Sequence, residues 1–237
     1  MKVITNEEII AKRKKLANIL APAALFLLLG GLLTNFLSLR DEAIAPTFFY
    51  LTLLLLLLGF TASSISSGLV TRWVREPRAD QILSESLKKF DNRHILLNYT
   101  TSAAPHILIA QNKVYAILTK PHNGHIRVTG KRWKRDFSLG RVLRFFAEES
   151  LGNPTLEAQH NARQVQKLIA QHLPEGTEVP VEPVVLLTDP KVELTVREPE
   201  VAVMKSKAFK TFVREQTKGR AIPAEVRRQL VQILGSQ

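Results

Sequence analysis

The amino-acid sequence predicts an α/β protein in which an N-terminal two-helix transmembrane hairpin is followed by a mixed β-sheet flanked by helices. Three observations support this fold class. Two uncharged apolar runs occupy residues 16–39 and 43–70. Short runs rich in β-branched residues follow, and they alternate with stretches in which apolar residues recur at helical spacing. Because the chain has no Cys, neither disulfides nor thiolate metal sites are expected.

The first apolar run is long enough to cross a bilayer. As a helix, residues 16–39 would extend roughly 36 Å, whereas the hydrocarbon core of a bilayer is about 30 Å thick. A cleaved signal peptide is the competing interpretation, but the apolar part of a signal peptide is typically only about 7 to 15 residues long. A second uncharged run, residues 43–70, follows at once. The two runs therefore predict a transmembrane hairpin.

The flanking charges predict the orientation of this hairpin. A basic cluster at residues 12–15 precedes the first run, and three arginines follow the second: Arg72, Arg75 and Arg78. The connecting loop, residues 40–46, carries one basic and two acidic residues. Basic residues accumulate on the cytoplasmic side of membranes. We therefore predict a multi-pass protein of the cell membrane, partnered by the lipid bilayer, with both termini in the cytoplasm.

This reasoning divides the chain into four segments. Residues 1–15 are a basic cytoplasmic N-terminus and residues 16–70 the transmembrane hairpin. Residues 71–200 form the main cytoplasmic domain, and residues 201–237 supply C-terminal helices packed on it or appended to it. Residues 71–237 contain 27 Lys and Arg against 17 Asp and Glu, so this part of the chain has an excess of ten positive charges. Its length suffices for a sizeable core.

The domain begins with an amphipathic helix at residues 79–87. The strands HILIA and VYAILTK, residues 106–110 and 114–120, are joined by a polar turn and are predicted to form an antiparallel hairpin. A third strand, residues 125–129, follows the Asn123-Gly124 turn signal.

The second half of the domain is predicted to alternate helices and strands. A helix from near residue 138 ends with Glu148 and Glu149, before the break at Asn153-Pro154. The further elements are a helix at 155–172, a buried strand at 181–188, a short edge strand at 192–196, and helices at 205–217 and 223–235.

The stretch PHILIAQNKVYAILTKPHNGHIRVTGKRW, residues 105–133, resembles the NERD (nuclease-related) domain, a branch of the PD-(D/E)xK nuclease-like fold. The family pattern is an Asp opening one strand, a Glu-x-Lys on the next, then Gly and Trp. Lys120, Gly124 and Trp133 match it. Asp80 stands in the first helix where the family has a Glu, and Asn153-Pro154 with Gln159 and the strand at 181–188 resemble later family motifs. The resemblance covers residues 78–196 and implies a nuclease-like fold.

The acids that the resemblance requires are replaced. Pro105 stands where the family has its Asp, and Leu118 where it has its Glu. Nucleases of this kind hold a divalent ion through carboxylate oxygens, which neither Pro nor Leu supplies. We therefore predict a catalytically inactive domain without a cofactor, in which Asp80 and Lys120 are remnants of the site. The competing interpretations are a hairpin unrelated to nucleases, and an active Mg²⁺-dependent nuclease that recruits Glu85 or Glu148.

Basic residues concentrate after the hairpin, with one acid, Asp136, among them. They are Arg127, Lys131, Arg132, Lys134, Arg135, Arg141 and Arg144. Together with Lys120 they predict a binding site for a polyanion. DNA or RNA phosphate, anionic lipid headgroups and a plain solvated face remain open interpretations, as does a scaffold that binds an unknown protein. Trp133 is expected to pack beneath the strand rather than stack on a base.

Three histidines lie near the predicted hairpin: His106, His122 and His125. Three imidazoles without a carboxylate would suit zinc. Loop histidines are more often exposed to solvent or hydrogen-bonded to backbone, so we predict no metal site here.

Overall fold

The computed structural model confirms the predicted fold class: two long apolar helices at the N-terminus, followed by mixed β-structure flanked by helices. It describes residues 1–40, 45–136, 150–174, 176–216, 219 and 221–235. The chain divides into two compact units. Among the described residues, one comprises residues 1–7, 79–136 and 151–235, and the other comprises residues 8–78 and 150. The helix predicted to end at Glu149 falls outside the described residues.

The apolar runs form two long helices, α1 (Glu7–Ser38) and α2 (Ala45–Leu69), and α2 continues into a π-helical turn at Val70–Val74. Both are long and apolar enough to cross a membrane: an 18-residue stretch has a mean hydropathy of 2.2 in α1 and of 2.0 in α2. Most of their large side chains are exposed; Phe26, for example, is 72% exposed. Such a surface suits lipid better than water, so the two helices fit a membrane anchor.

Close packing between α1 and α2 depends on small residues. A Cβ atom added to Gly59 would lie 3.0 Å from the backbone nitrogen of Leu28, and one added to Gly31 would lie 2.7 Å from Leu56 Cδ2. The hydroxyls of Thr34 and Thr52 are hydrogen-bonded at 2.7 Å between the helices. Small residues and interhelical hydrogen bonds are the usual means by which helices associate in lipid.

The central element of the other unit is a six-stranded sheet. Its strands are β1 (Lys2–Thr5), β2 (Ile95–Asn98), β3 (His106–Ile109), β4 (Val114–Lys120), β7 (Val181–Leu187) and β9 (Ala202–Lys205). They are arranged in the order β1-β2-β3-β4-β7-β9. The predicted hairpin is confirmed, since β3 and β4 pair antiparallel. The buried strand predicted at 181–188 is also confirmed as β7, which lies parallel to β4 and β9.

The edge strand β1 comes from the extreme N-terminus, for which the sequence predicted no regular structure. It pairs parallel with β2, placing Val3 opposite Leu96. The N-terminal ammonium of Met1 donates a 2.8 Å hydrogen bond to the carbonyl of Phe90. The side chain of Ile4 packs on the core that lies beneath the sheet. The first residues of the chain are therefore part of the domain that resumes after α2.

A second, three-stranded sheet has the order β6-β5-β8. Its strands are β5 (Gly124–Thr129), β6 (Arg132–Arg135) and β8 (Val192–Arg197). The turn between β5 and β6 contains Gly130 with a φ of 56°, which glycine adopts without steric cost. The predicted strand at 125–129 and the edge strand at 192–196 are both found. Strand β6 follows the turn, and no residue bounds were predicted for it.

Helices cover both faces of the six-stranded sheet: α3 (Ala79–Ser86), α4 (Pro154–His172), α5 (Ser206–Glu215) and α6 (Ala224–Gly235). On one face, α4 and α6 pack against strand residues such as Ile107 and Ala116. On the other face, α3 and α5 pack against residues such as Leu108 and Ile117. A third cluster joins the three-stranded sheet to the ends of β4 and β7 through Leu118.

Strand β1 yields a test with a matched pair of substitutions. Ile4→Asp would place a carboxylate at a half-buried position against the core, so we expect the free energy of unfolding of the full chain to fall by about 1–3 kcal/mol. Val3→Asp places the same charge on a side chain that is 41% exposed, and should change the free energy by less than about 0.5 kcal/mol. Thermal unfolding in lipid nanodiscs measures both. Equal effects of the two substitutions would contradict the pairing of β1 with the sheet.

Candidate functional site

Leu118 lies where a nuclease-like hairpin needs its metal-binding Glu, and it is part of the hydrophobic core. Leu118 is 4% exposed and packs in a cluster with Ile126, Ala158 and Leu187. This cluster joins the end of β4 to the three-stranded sheet and to α4. A carboxylate at the position of Leu118 would be surrounded by aliphatic side chains, where an unpaired charge is strongly disfavoured. Leu118 therefore contributes to stability, and it has no oxygen with which to bind a metal ion.

Lys120, two residues further along β4, is held by an acid that sequence reasoning missed. Its side chain is 4% exposed, and its Nζ lies 2.6 Å from Oε2 of Glu157 in the first turn of α4. The side chain of Asn153 caps this helix by accepting a hydrogen bond from the Leu156 N–H. Acids are favoured in the first turn because of the helix dipole. That preference, together with the Asn-Pro helix start, is the one signal that marks Glu157 in the sequence.

The acids that the sequence suggested as replacements lie elsewhere. Glu85 is 73% exposed and forms a 3.3 Å ion pair with Lys88. Glu148 lies outside the described residues. Neither is shown beside Lys120, and the carboxylate that does approach it, Glu157, is already paired with the lysine ammonium.

Asp80 and Lys120 are not brought together. Asp80 is buried in α3, whose Leu83 packs with Tyr115 and Ile117 on one face of the sheet. Because side chains alternate along a strand, Lys120 shares the opposite face with Leu118, and its pairing with Glu157 confirms that direction. The two expected remnants of a nuclease site therefore lie on opposite faces of one sheet.

Asp80 instead lies near a buried histidine. His106 is 1% exposed, and its Nδ1 is 2.9 Å from Oδ1 of Asn98 on the neighbouring strand. Burial lowers the pKa of His106 to about 4, and the charge of Asp80 partly opposes that shift. His106 is therefore neutral at physiological pH. The carbonyl of the preceding residue, Pro105, accepts a 2.8 Å hydrogen bond from the N–H of Tyr99. This hydrogen bond lies within the loop between β2 and β3.

The donor groups do not fit the divalent ion of a nuclease. Pro105 and Leu118 offer no side-chain oxygen, Glu157 is paired with Lys120, and Asp80 lies across the sheet. Within the described residues, no three His, Cys, Asp or Glu side chains are grouped so that they could hold a metal ion. His125 makes other contacts: its Nδ1 is 2.9 Å from Asp136 and its Nε2 is 3.0 Å from Thr195.

The register of β6 divides the predicted basic residues between the two faces of the three-stranded sheet. Arg127, Arg132 and Lys134 are exposed on the outer face of the three-stranded sheet. Arg135 points the other way and donates hydrogen bonds to the carbonyl and side chain of Asn123, whereas Lys131 lies 3.4 Å from Glu200. Arg141 and Arg144 fall outside the described residues.

Trp133 packs as expected. Its side chain contacts the cluster beneath the three-stranded sheet, and its indole N–H donates a 2.8 Å hydrogen bond to the hydroxyl of the fully buried Thr155. The ring therefore anchors β6 to the start of α4 and is directed away from the outer face.

A groove of about 370 Å³ runs over the outer face of this sheet. It is lined by Arg127, Val128, Thr129, Arg132, Lys134, Thr195 and Arg197. Arg197 was missed by sequence reasoning, because it lies far along the chain and is brought opposite Thr129 by parallel pairing of β8 with β5. Arg127 forms an ion pair with Asp136. A hydrogen bond from His125 and the neighbouring Arg127 lower the pKa of the Asp136 carboxyl, although partial burial opposes the shift.

Comparison with known protein families gives a match over the middle of the chain. Residues 73–188 match the NERD family, described as the nuclease-related domain. The matched segment includes α3, the β3-β4 hairpin, the first two strands of the three-stranded sheet, α4 and β7. Neither the curated proteins nor the solved structures contain a significant match to this chain.

The buried histidine predicts a pH dependence of stability. The unfolded state binds a proton at His106 below its ordinary pKa of 6.5, whereas the native state binds one only near pH 4. The contribution of this residue is therefore fully present above pH 6.5 and is lost as pH falls. Between about pH 7 and pH 5 the loss should reach about 2 kcal/mol.

Thermal unfolding of the full chain in nanodiscs at these two pH values measures this loss. His106→Gln should reduce the difference in stability between them. His172→Gln, which replaces an exposed histidine, serves as the control and should leave the difference unchanged. A His106→Gln chain with the full pH dependence would show that His106 is not the group responsible.

Proposed function

We propose that this chain, which carries a nuclease-related domain at residues 73–188 and two apolar helices that fit a membrane anchor, is a catalytically inactive, membrane-anchored protein that binds nucleic acid through basic residues. The observation that carries the proposal is the environment of β4. Leu118 lies in the core where a metal-binding acid is required, and Lys120 is neutralised by Glu157.

The absence of a suitable donor set argues against phosphodiester cleavage. A metal ion in such an enzyme polarises the phosphate and generates the attacking hydroxide. In this chain Lys120 and Glu157 form an ion pair at the end of β4, and Asp80 lies on the other side of the sheet beside His106. Among the described residues Glu157 is the one carboxylate that forms an ion pair with Lys120, and no three His, Cys, Asp or Glu side chains are grouped as the oxygen-rich site that Mg²⁺ prefers would require.

The excess of positive charge on the chain supports nucleic-acid binding. The whole chain carries 33 Lys and Arg against 21 Asp and Glu, and exposed cations collect on the outer face of the three-stranded sheet. Such surfaces attract the phosphate backbone of DNA or RNA, chiefly through release of counterions. Loss of the metal-binding acids also removes negative charge that would repel phosphate when no metal is bound.

The pairing of β1 with β2 supports a hairpin whose two ends lie on one side of the membrane. Residues 2–5 precede α1, and residues 95–98 follow α2. A sheet cannot form through a bilayer, so the chain must cross an even number of times between these strands. A signal peptide cleaved after α1 would remove β1 from the protein. With the flanking arginines, this favours a cytoplasmic position for both termini.

The first test is for cleavage. The full chain in nanodiscs of zwitterionic lipid should show no Mg²⁺- or Mn²⁺-dependent cleavage of DNA or RNA above that of a Lys120→Ala variant. Gel electrophoresis of labelled substrates measures the products. Metal-dependent cutting that is abolished by Glu157→Gln would instead establish a nuclease with a relocated carboxylate.

The second test is for binding. The same preparation should bind DNA or RNA without sequence preference, and log affinity should fall with log salt by roughly 0.9 per phosphate contact on duplex DNA. Fluorescence anisotropy over a range of salt concentrations measures both quantities. If the chain binds anionic vesicles at physiological salt but neither DNA nor RNA, the nucleic-acid function is wrong and lipid binding replaces it.

The third test is for orientation, and the absence of Cys makes it direct. Single cysteines replace Asp41 in the loop, Lys2 in β1 or Arg228 in α6, and sealed right-side-out vesicles are treated with an impermeant maleimide. We expect labelling at position 41 alone. Labelling at positions 2 and 228 but not at 41 would reverse the orientation. Labelling at only one of positions 2 and 228 would contradict the shared sheet.

A further inference from the structure

We infer that the nucleic-acid-binding surface is the outer face of the three-stranded sheet, and that it binds the phosphate backbone of a duplex without contacting bases. This inference rests on the proposed function and makes it more specific, because it assigns binding to Arg132, Lys134 and Arg197 and excludes Lys120 and Arg135. Arg197 lies beyond the segment that matches the nuclease-related domain.

The register of the three strands arranges these residues in two rows. In one row Thr129 lies between Arg132 on β6 and Arg197 on β8. In the next row Arg127 lies between Lys134 and Thr195. Adjacent strands are about 4.8 Å apart, so Arg132 and Arg197, which lie on the two outer strands, are separated by about 10 Å. Four cations and two hydroxyls therefore share one small, continuous surface, and both kinds of group donate hydrogen bonds to phosphate oxygens.

Acidic residues lie near both ends of this sheet: at one end Glu198 follows Arg197 directly, and Glu200 lies 3.4 Å from Lys131. Asp136 contacts both His125 and Arg127, and Glu193 is the register partner of His125 on β8. Among the described residues, Arg132, Lys134 and Arg197 form no ion pair with a carboxylate. Of the four cations on this face, Arg127 is thus the one that a described carboxylate pairs. A bound polyanion should lie over Arg132, Lys134 and Arg197.

The side chains on this face indicate which polyanion fits. Proteins that bind single strands stack bases on aromatic side chains, but the outward residues of β5, β6 and β8 are His, Arg, Thr, Lys and Glu. The one tryptophan of these strands, Trp133, points inward and is hydrogen-bonded to Thr155. A face of guanidinium, ammonium and hydroxyl groups contacts phosphates, and a duplex presents phosphates at a higher density than a flexible single strand does.

The excluded residues have structural partners. Lys120 is buried and paired with Glu157, so its ammonium is not available to a ligand on the surface. Arg135 holds the turn at Asn123 through two hydrogen bonds. Both were expected at the binding site from sequence alone, and the orientation of their side chains is the reason for leaving them out.

The experiment compares two triple variants of the full chain in nanodiscs of zwitterionic lipid, using a labelled DNA duplex and one of its single strands. The outer-face variant combines Arg132→Ala, Lys134→Ala and Arg197→Ala, which removes three cations from the outer face. Arg163→Ala, Lys167→Ala and Arg228→Ala remove the same charges from exposed positions on α4 and α6. We expect the first variant to bind duplex at least about 10-fold more weakly and to reduce the salt slope by about 2.7. The second should change affinity less than about 2-fold.

The outcomes separate this inference from the proposed function. Duplex binding that survives in the outer-face variant, or that falls equally in both variants, overturns the assigned surface while nucleic-acid binding itself stands. Tighter binding of the single strand overturns the duplex assignment. If the wild-type chain binds neither nucleic acid, the proposed function fails. Binding of anionic vesicles that is lost in the outer-face variant would then assign a lipid headgroup to this surface. Circular dichroism spectra must be unchanged in both variants for the comparison to count.

Discussion

The pairing of β1 with β2 is the constraint on which the rest of the structure depends. It joins residues 2–5 to residues 95–98, and Asn98 also donates a 3.1 Å hydrogen bond to the hydroxyl of Thr5, 93 residues away. The two apolar helices lie between these partners in the chain. The domain is therefore not a module that begins after α2, because its edge strand β1 precedes the two apolar helices in the chain and its other strands follow them. A fragment that began after α2 would lack that strand and expose the unpaired edge of β2.

The loss of cleavage that we propose has a physical basis in the packing at the end of β4. Leu118 fills space between the two sheets, where burial of an aliphatic side chain contributes roughly 1.5–3 kcal/mol. An acid at that position needs a metal ion or a cation to offset its desolvation. Lys120 keeps a charged partner, but the partner is the half-exposed Glu157 from α4. The end of β4 is thereby stabilised by packing and one ion pair.

Features encoded locally were predictable, and features that depend on distant pairing were not. The apolar runs and the strands HILIA and VYAILTK carry their own periodicity, and α1, α2, β3 and β4 follow it. Strand β1 is four residues long, too short for any pattern, and its partner is fixed only by the tertiary fold. Glu157 is positioned by the start of α4, and Arg197 is positioned by the parallel pairing of β8 with β5. Arg135 could not be assigned without the register of β6, since a shift of one residue reverses the direction of every side chain.

The most direct test of this account is a disulfide between β1 and β2. Val3 and Leu96 are register partners, and the chain has no native Cys, so the variant Val3→Cys/Leu96→Cys should oxidise nearly completely in the full chain in membranes. The control variant Val3→Cys/Leu108→Cys joins strands separated by a further strand spacing, since Leu108 pairs with Leu96, and it should not cross-link. Proteolysis in the loop at residues 40–46, followed by reducing and non-reducing gels, measures the bond. Fragments that separate without reductant in the Val3/Leu96 variant would contradict a sheet closed across the hairpin.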